Sequence, residues 1–478
     1  MAQLLLYASG SNSHGQLGTR NLKEEEEKEE DLHEFTNTHQ WNHHHQQPQG
    51  EEQQQQPISS SIGGRHSLFL INHPTRPEIY LCGDQNQGQS GPKISSIAPS
   101  PSIGENAPSI INQSSQPYDT NDECSSTMKM IDYLKLISMT SNIDHELKEL
   151  LGQHYRPVQV TACWETSFVV LSPRFCGPST KDETRMEEEE IQYDDEILAF
   201  GSNDFDLRGS AEKETLPEDP GTPNLVDLPP SVGRTGSGRR RIRLHGGCQH
   251  VIAVIEYAGQ GGPIELVGWG AARHGQLGPL ETAGGKPVRT SLPTRLPISI
   301  PLGTPLSALK IALGNQHSVL VSPTQIWCWG SNRNGQIPSA LKALPPADIL
   351  ELQATWNATF VILSLPDRPT FKRLLGYGSN SHGQLLGTSH LHLDRLIPSH
   401  HANLVAGSEH LLLTSTLQNN TVQIWGWGWN EHGNLGKREG HPLEPIRAFS
   451  LLFEIPSNSK LVALAAGCAT SFVIVCSR

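Results

Sequence analysis

The sequence lacks the features of membrane and secreted proteins. In its 478 residues, no run approaches the roughly 18 apolar residues that cross a bilayer. The stretch from Met1 to Tyr7 is too short and too uncharged for a signal peptide. Eight cysteines are scattered without a C-x-x-C pair, so neither a zinc site nor a disulfide framework is indicated. We expect an intracellular protein with reduced thiols, in the cytoplasm, the nucleus or both.

Charged residues are also few, at 18% of the chain, and they are unbalanced. The 36 Lys and Arg face 49 Asp and Glu, which gives a net charge of −13. Such a balance repels phosphate backbones, so nucleic acid is not an expected ligand. The 44 glycines and 34 prolines favour frequent turns and disfavour helical bundles and coiled coils.

One phrase recurs seven times along the chain: an apolar strand followed by a variant of G-S-N-x-x-G-Q-L-G. The first glycines of the seven copies are Gly10, Gly83, Gly201, Gly270, Gly330, Gly378 and Gly428. The shortest steps between them are 48 and 50 residues, and the longer steps carry insertions. The third copy lacks the central G-Q pair.

A second phrase, G-x-x-H-S before an apolar strand, also occurs once in each unit. Four units carry the histidine, as His66, His250, His317 and His410. Three units replace it, with Thr166, Ala358 and Thr470. The simplest interpretation of repeated histidines is a structural hydrogen bond between adjacent strands; the alternative is a face that contacts a partner. Catalysis needs one asymmetric constellation, so equivalent residues spread around a repeat do not indicate a catalytic triad.

A unit of about 50 residues has room for four short strands, which is one blade of a propeller. Seven units therefore predict an all-β, seven-bladed β-propeller in one domain. Only four residues separate H-S-V-L-V from I-W-C-W-G, so the end of one unit and the start of the next form a hairpin. The blades are thus offset from the sequence repeats. We expect Leu4 to Ala8 to pair with Ser471 to Cys476 and close the ring.

These two phrases resemble the regulator of chromosome condensation repeat family, whose members are seven-bladed propellers. Within that family the chain is most similar to the fungal alpha-tubulin suppressor subgroup. Because the sequence indicates no metal set, phosphate loop or catalytic triad, and many turn loops on a rigid ring, we expect a non-enzymatic interaction scaffold that acts as a monomer or heterodimer. The subgroup implies as partner a small metal-binding diphthamide-biosynthesis protein, which acts with Elongator in wobble-uridine modification of tRNA and in diphthamide formation on elongation factor two. The founding member of the family implies the alternative, a guanine-nucleotide exchange factor for a Ran-like small GTPase.

Four insertions interrupt the repeats. Residues 22–60 are acidic, Gln-rich and His-rich, and their low hydrophobicity predicts disorder; the histidines at 43–45 are interpreted as composition and not as a metal site. Residues 92–156 are expected to form a linker followed by two short helices on the outside or rim of the ring. Residues 174–195, with acidic Glu187 to Glu190, and residues 207–240, with the arginines at 239–241, are expected to be mobile surface loops.

Candidate binding residues are few. The motif glycines are interpreted as turn residues, because no G-x-x-x-x-G-K-[ST] loop occurs and none of these turns leads into a helix. No cofactor or metal is expected. Trp164 and Trp356 replace small residues near turns in two of the units without histidine. They are expected to pack between blades or, alternatively, to form a partner hot spot. With the four repeated histidines, they are the candidate partner-binding residues.

Overall fold

The fold is described from a computed structural model. The residues described are 3–13, 16–17, 32–42, 58–71, 77–84, 86–89, 91, 124–174, 194–210, 219–230, 239–257, 263–280, 288–387, 392–436, 443–455 and 457–477. They form seven antiparallel sheets, which we number as blades in chain order. The expectation of a seven-bladed β-propeller is confirmed.

The strands follow the chain in regular order. The chain opens with β1 (Gln3–Gly10) and β2 (Leu32–Asn42). Blade 1 contains β3 (Ile58–Ile62), β4 (His66–Ile71), β5 (Glu78–Asp84) and β6 (Cys124–Ile131). Blade 2 contains β7 (Tyr155–Ala162), β8 (Thr166–Pro173), β9 (Glu196–Gly201) and β10 (Asn224–Leu225). Blade 3 contains β11 (Arg240–Gly246), β12 (His250–Tyr257), β13 (Ile264–Ala271) and β14 (Arg289–Arg295).

The second half continues the pattern. Blade 4 contains β15 (Lys310–Leu313), β16 (His317–Val321) and β17 (Ile326–Gly330). Blade 5 contains β18 (Ile349–Ala354), β19 (Ala358–Ser364), β20 (Phe371–Gly378) and β21 (Leu393–Pro398). Blade 6 contains β22 (His401–Ala406), β23 (His410–Thr416), β24 (Val422–Gly428) and β25 (Ile446–Ile455). Blade 7 starts with β26 (Ser459–Ala466) and β27 (Thr470–Ser477).

Blade 7 closes the ring as the sequence predicts. Strand β1 pairs with β27 from Gln3 opposite Ser477 to Gly10 opposite Thr470. The predicted partners Leu4 and Ala8 lie opposite Cys476 and Phe472. Because the two ends of the chain share one sheet, neither β1 nor β27 is left as an edge strand.

Short helices occupy two connections between blades. Helices α1 (Tyr133–Met139) and α2 (His145–His154) join blades 1 and 2, so the expectation of two short helices in 92–156 is confirmed; residues 92–123 lie outside the described part. Leu136, Ile137 and Leu151 pack into the hydrophobic cluster that these two blades share. Helix α3 (Ser339–Lys342) follows β17 in blade 4, which has three strands, and its Leu341 is buried. Among the described residues, no helix has the length and apolar character that a bilayer span requires.

The expectation of disorder across 22–60 is wrong for Leu32–Asn42, which forms the fourth strand of blade 7 beside β1. Its composition is polar, but Phe35 stacks against Phe453 of blade 6, with ring centroids 5.7 Å apart. An outer strand needs only a few apolar contacts on one face, so the polar composition of the segment did not reveal it. The tail of this insertion, Ile58 to Ser60, begins β3. The remainder, with the histidines at 43–45, lies outside the described residues.

The loop expectations for 174–195 and 207–240 are wrong at their edges. Asp195 is buried, and its carboxylate accepts hydrogen bonds from the side chains of Ser172 and Arg239 and from the backbone N–H of Ile242. Arg240 starts β11 and pairs with Glu196 at 3.1 Å. These acids and arginines neutralise one another between blades 2 and 3, so they are not available to steer a partner. Residues 175–193, with the run at 187–190, lie outside the described part.

The motif loops are built from side chain to backbone hydrogen bonds, which explains their composition. The motif asparagine accepts from the backbone N–H five residues later, as in Asn332 with Ile337 (2.8 Å). The motif glutamine accepts from the N–H two residues earlier, as in Gln336 with Asn334 (2.9 Å). The side chains of the loop therefore satisfy its own backbone N–H groups. The apolar residue that follows the glutamine is buried, as with Leu277 and Leu385.

The first motif glycine holds a backbone contact that excludes a side chain. In all seven blades, the residue after this glycine donates its N–H to the carbonyl of the residue that precedes the second strand, at 2.8–3.0 Å. Gly330 has φ +98°, and a Cβ there would lie 2.2 Å from the Gln316 carbonyl oxygen. Gly335, in the same loop, has φ +76° but nothing within 4 Å of its Cβ position.

We expect G330A to lower the free energy of unfolding by about 3 kcal/mol or more, because it combines an unfavourable φ with a backbone clash. The matched control G335A pays only the conformational cost, about 1 kcal/mol. Urea denaturation of both variants tests the difference. Equal losses would show that the close approach to Gln316 is not what requires glycine.

Candidate interaction face

One end of the ring carries both repeated phrases, and we call it the loop face. The turns between the first and second strands of each blade lie near the axis, and the motif loops lie outside them. The second turn residues form an axial ring: Gly64, Trp164, Cys248, Asn315, Trp356, Ser408 and Cys468. Backbone N–H groups of this ring donate to the next blade: Gly64 to Trp164, Trp164 to Cys248, Asn315 to Trp356, Trp356 to Ser408, and Ser408 to Gly467, at 2.8–3.0 Å.

Trp164 and Trp356 meet at the centre of the loop face. They belong to blades 2 and 5, yet their ring centroids are 5.7 Å apart with the planes tilted by 49°. They therefore pack between blades, but across the axis and not at a joint of neighbouring blades, because two whole blades separate them around the ring. Both indoles are half-buried. The part of the pair that is not covered remains open to a molecule that docks on this face.

Beneath the indole pair lies the axial cavity, of about 470 Å³, lined by the first strands of the blades and the turns that follow them. Cys163, Cys248, Cys468 and His245 are among its lining residues. Burial raises the pKa of the Cys248 thiol to about 12 and that of Cys468 to about 11, so both are protonated at neutral pH. Within the described ranges, no three His, Cys, Asp or Glu side chains are grouped so that they could hold a metal ion.

The four repeated histidines lie inside the ring. Each is fully buried, and each Nε2 lies 2.8–3.0 Å from a hydroxyl on the next blade. The pairs are His66 with Ser167, His250 with Ser318, His317 with Thr359, and His410 with Ser471. The structural interpretation is therefore right, although the bond joins blades rather than strands of one blade. As partner-binding residues the four histidines are wrong, since a fully buried side chain cannot touch a partner.

The direction of two of these bonds follows from the hydroxyls. Ser167 donates its only proton to the Gln89 carbonyl at 2.8 Å, and Ser318 donates to the Gln276 carbonyl at 2.7 Å. The hydroxyls must then accept from His66 and His250, so these imidazoles carry their proton on Nε2. A chain from histidine to hydroxyl to loop carbonyl thus joins two blades to a motif loop.

Two of the three joints without histidine also lack the hydroxyl. Thr166 of blade 2 stands at the histidine position, and the position of the hydroxyl in blade 3 is Val251; in blades 5 and 6 the corresponding residues are Ala358 and Leu411. Both Val251 and Leu411 are buried. A buried hydroxyl or imidazole without its partner would be costly, so the two change together. Trp164 and Trp356 stand in the turns before these two joints.

The third joint without histidine, between blades 7 and 1, differs. Thr470 stands at the histidine position, but blade 1 keeps the hydroxyl as Ser67. Ser67 donates to the Gln16 carbonyl at 3.0 Å, so its proton has an acceptor in the motif loop without any imidazole. The bond from hydroxyl to motif loop is therefore retained where the blades at the chain ends meet.

A second ring of side chains surrounds the indole pair: the third turn residues Arg65, Glu165, Gln249, Gln316, Asn357, Glu409 and Ala469. The sequence-based candidates included none of them. Aligning the seven turns by their histidine position would have shown that this column contains both acidic and basic residues, whereas the column before it contains no charged residue. A column that varies in charge within a rigid repeat is the sequence signal that could have identified these residues.

Comparison with known proteins agrees with the repeat pattern, although no family model matches the chain. RCC1 domain-containing protein 1 of human is 28% identical over 211 residues, which cover 44% of this chain and 50% of the relative. The mouse protein of the same name is 28% identical over 251 residues, which cover 52% and 59%. The alignments thus span about half the length of these relatives.

Solved structures share the whole fold. Prp20p from Saccharomyces cerevisiae covers 99% of this chain and 91% of its own, with a TM-score of 0.58 and 16% identity. Yeast RCC1 (Prp20), in a structure with Kap60, covers 100% and 90%, with a TM-score of 0.59 and 14% identity. Human WBSCR16 covers 100% and 99%, with a TM-score of 0.54 and 13% identity. Identities this low show the fold alone, and the curated relatives supply the sequence link.

The repeat pattern, these relatives and the shared fold together support an RCC1-repeat family for this chain. Its two phrases resemble the repeat of that family, and they converge on the loop face. The alpha-tubulin suppressor subgroup stays a prediction.

Burial makes the interblade histidines sensitive to acid. It lowers the pKa of His66, His317 and His410 to about 4, and that of His250 to about 3. An unfolded histidine titrates near 6.5, so the unfolded chain takes up protons first. The stabilisation is therefore complete above about pH 6.5 and is lost as the pH falls toward 4.

We expect the free energy of unfolding to fall between pH 6.5 and 4.5, with each histidine adding up to about 1.4 kcal/mol per pH unit to the slope. H317Q keeps a hydrogen-bonding amide but removes one titration, so its slope should be smaller by about one proton. H392Q, at an exposed histidine, is the matched control. Denaturant titrations across this pH range measure the slopes. An unchanged slope in H317Q would contradict the assignment.

Proposed function

We propose that this propeller is a non-enzymatic interaction scaffold, or regulatory subunit, that docks a protein partner on its loop face. The observation that carries the proposal is the Trp164–Trp356 pair, half-buried at the centre of that face. Tryptophan is enriched at the energetic centres of interfaces, because a rigid indole buries a large area at a small entropic cost.

The surroundings support docking. The backbone hydrogen bonds of the axial ring and the histidine bridges hold the turns in fixed positions, so a partner meets a preorganised surface. The asparagine and glutamine of the motif loop accept hydrogen bonds from the backbone of their own loop, as Asn332 and Gln336 do. A rigid ring with polar loops around a central aromatic pair has the anatomy of an interface, with an apolar centre and a polar rim.

The test is capture of partners from native cells, with mass spectrometry and reconstitution from purified components. We expect W164A/W356A to lose the partner while the ring remains folded, as its melting curve would show. L302A is the matched control, because Leu302 is 78% exposed and follows the fourth strand of blade 3, away from the loop face. Loss of the partner in L302A but not in the tryptophan variant would place docking elsewhere.

The partner implied by the sequence, a small metal-binding diphthamide protein acting with Elongator, stays a prediction. The names of the relatives do not refer to diphthamide or to tRNA modification. Reconstitution with that small protein is the direct test. The expected location in the cytoplasm, the nucleus or both stays a prediction.

Exchange-factor activity is the second candidate, and one observation favours it. Prp20p, which shares this fold over 99% of the chain, is known for binding to Gsp1p and histones. Exchange requires no catalytic side chain, only tighter binding to the nucleotide-free GTPase than to the loaded one.

Release of a fluorescent guanine nucleotide from a Ran-like GTPase separates the two candidates. As a scaffold, the protein should leave the release rate unchanged. Acceleration that W164A/W356A abolishes would make it an exchange factor that uses the same face. If the wild-type protein and W164A/W356A accelerate release equally, the indole pair does not contact the GTPase.

A further inference from the structure

The second ring of the loop face contains one joint where a carboxylate has its counter-ion and one joint where it does not. Between blades 1 and 2, the Arg65 Nη1 atom lies 3.2 Å from Glu165 Oε1 and 3.5 Å from Asp84 Oδ2. Arg65 and Glu165 occupy the same position in adjacent turns, and Asp84 follows the motif glycine. One guanidinium therefore serves two acids across the joint.

The joint between blades 5 and 6 repeats this geometry with different chemistry. Asn357 stands in the position of Arg65, Ser379 in that of Asp84, and Glu409 in that of Glu165. Asn357 Nδ2 donates to Glu409 Oε1 at 2.9 Å, and Gln384 Nε2 donates to Oε2. Two neutral amides thus orient the carboxylate, but neither supplies a positive charge.

Glu409 is only 6% exposed, so water does not fully solvate its charge. Among the described residues, no Lys, Arg or His nitrogen lies within 4.0 Å of it. Burial raises the pKa of Glu409, and only the amide bonds and His382 oppose this shift. Each carboxylate oxygen accepts one described hydrogen bond and has capacity for another. The two carboxylate oxygens can therefore accept hydrogen bonds from a cation, and no described residue of the ring supplies that cation.

Aromatic rings line the same joint. The Trp429 backbone donates to the Glu409 carbonyl at 2.9 Å, and its indole lies 5.7 Å from the His382 ring. The buried Trp429 Nε1 has no acceptor among the described residues. Trp356 of the axial pair immediately precedes Asn357. The joint thus combines an oriented carboxylate with the face of an indole.

We propose that the joint between blades 5 and 6 binds an arginine side chain from a basic segment of the partner protein, in the place that Arg65 fills between blades 1 and 2. Arginine fits better than lysine, because its planar guanidinium pairs with a carboxylate through two N–H groups and stacks on an indole. The net charge of −13 favours the approach of a basic segment. The inference rests on the proposed docking function and names the chemistry of the partner.

The test uses the full-length protein and an acetylated, amidated Gly-Arg-Gly peptide, titrated by calorimetry or NMR. The lysine and citrulline analogues are the comparison probes: lysine keeps the charge, and citrulline keeps the shape without it. We expect binding in the order arginine, lysine, citrulline. E409Q removes the charge with little change of shape and should weaken arginine binding about tenfold or more. E431Q, at an exposed acid on the same face, is the matched control and should bind normally.

A second variant fills the site from within. N357R recreates the pairing of Arg65 with Glu165, so it should raise the melting temperature and abolish peptide binding. Because it stabilises the ring, loss of binding in N357R cannot be ascribed to unfolding. Equal peptide binding by the wild type, E409Q and N357R would overturn the proposal. Peptide binding that appears only after Lys437 and Arg438 are replaced by glutamine would also overturn it, because the cation would then come from the chain itself.

The peptide assay does not depend on the natural partner. If the joint between blades 5 and 6 binds the peptide but W164A/W356A still captures the partner, the arginine site is supported and the proposed docking function is contradicted. If capture of the partner requires the tryptophans but E409Q binds the peptide normally, the docking function is supported and the arginine site is contradicted.

Discussion

A single backbone contact, repeated in every blade, holds the loop face together. The N–H after the motif glycine donates to a carbonyl in the axial turn of the same blade, and the glycine lets the two backbones approach to a distance that excludes a Cβ. This bond ties the outer motif loop to the inner turn. It explains why the two sequence phrases always occur together, since neither loop can be placed without the other.

Bonds between blades are added to that unit. The carbonyls of the motif glutamines Gln89 and Gln276 accept from Ser167 and Ser318, and these hydroxyls accept from histidines of the preceding blades. Every step is buried, so each polar group depends on the next for its hydrogen bond. Where the histidine is replaced, the hydroxyl is replaced with it at two joints, and at the third it keeps only its bond to the motif loop. No joint retains a buried imidazole without its hydroxyl, which is the combination that would cost most.

Much of this architecture could be predicted from the sequence, because the same two phrases occur in seven units, one unit for each blade. The closure through Leu4 to Ala8 and the helices before β7 followed from strand order and helical spacing. The strand at Leu32–Asn42 could not be predicted, because it depends on a rigid edge, β1, and on Phe453, which is distant in sequence. The pairing of Asp195 with Arg239 was hidden for the same reason: 44 residues separate them, and only the ring brings them together. The contact of Trp164 with Trp356 requires the ring to close, so no local pattern could indicate it.

The loop face is not symmetric, and its asymmetry arises at the positions where the sequence departs from the repeat. The indoles stand in the turns before two joints that lack a histidine bridge, and their contact links blades 2 and 5 directly across the axis. Beside one of these joints, Asn357 leaves Glu409 without the guanidinium that Glu165 receives from Arg65. A buried carboxylate held only by amides lowers stability relative to a paired one, since desolvation is not offset by an opposite charge. Because the same ring shows how the charge is neutralised elsewhere, the uncompensated acid is a local property of the joint between blades 5 and 6 and not of the fold. A cation supplied by a partner would remove its cost without altering the ring.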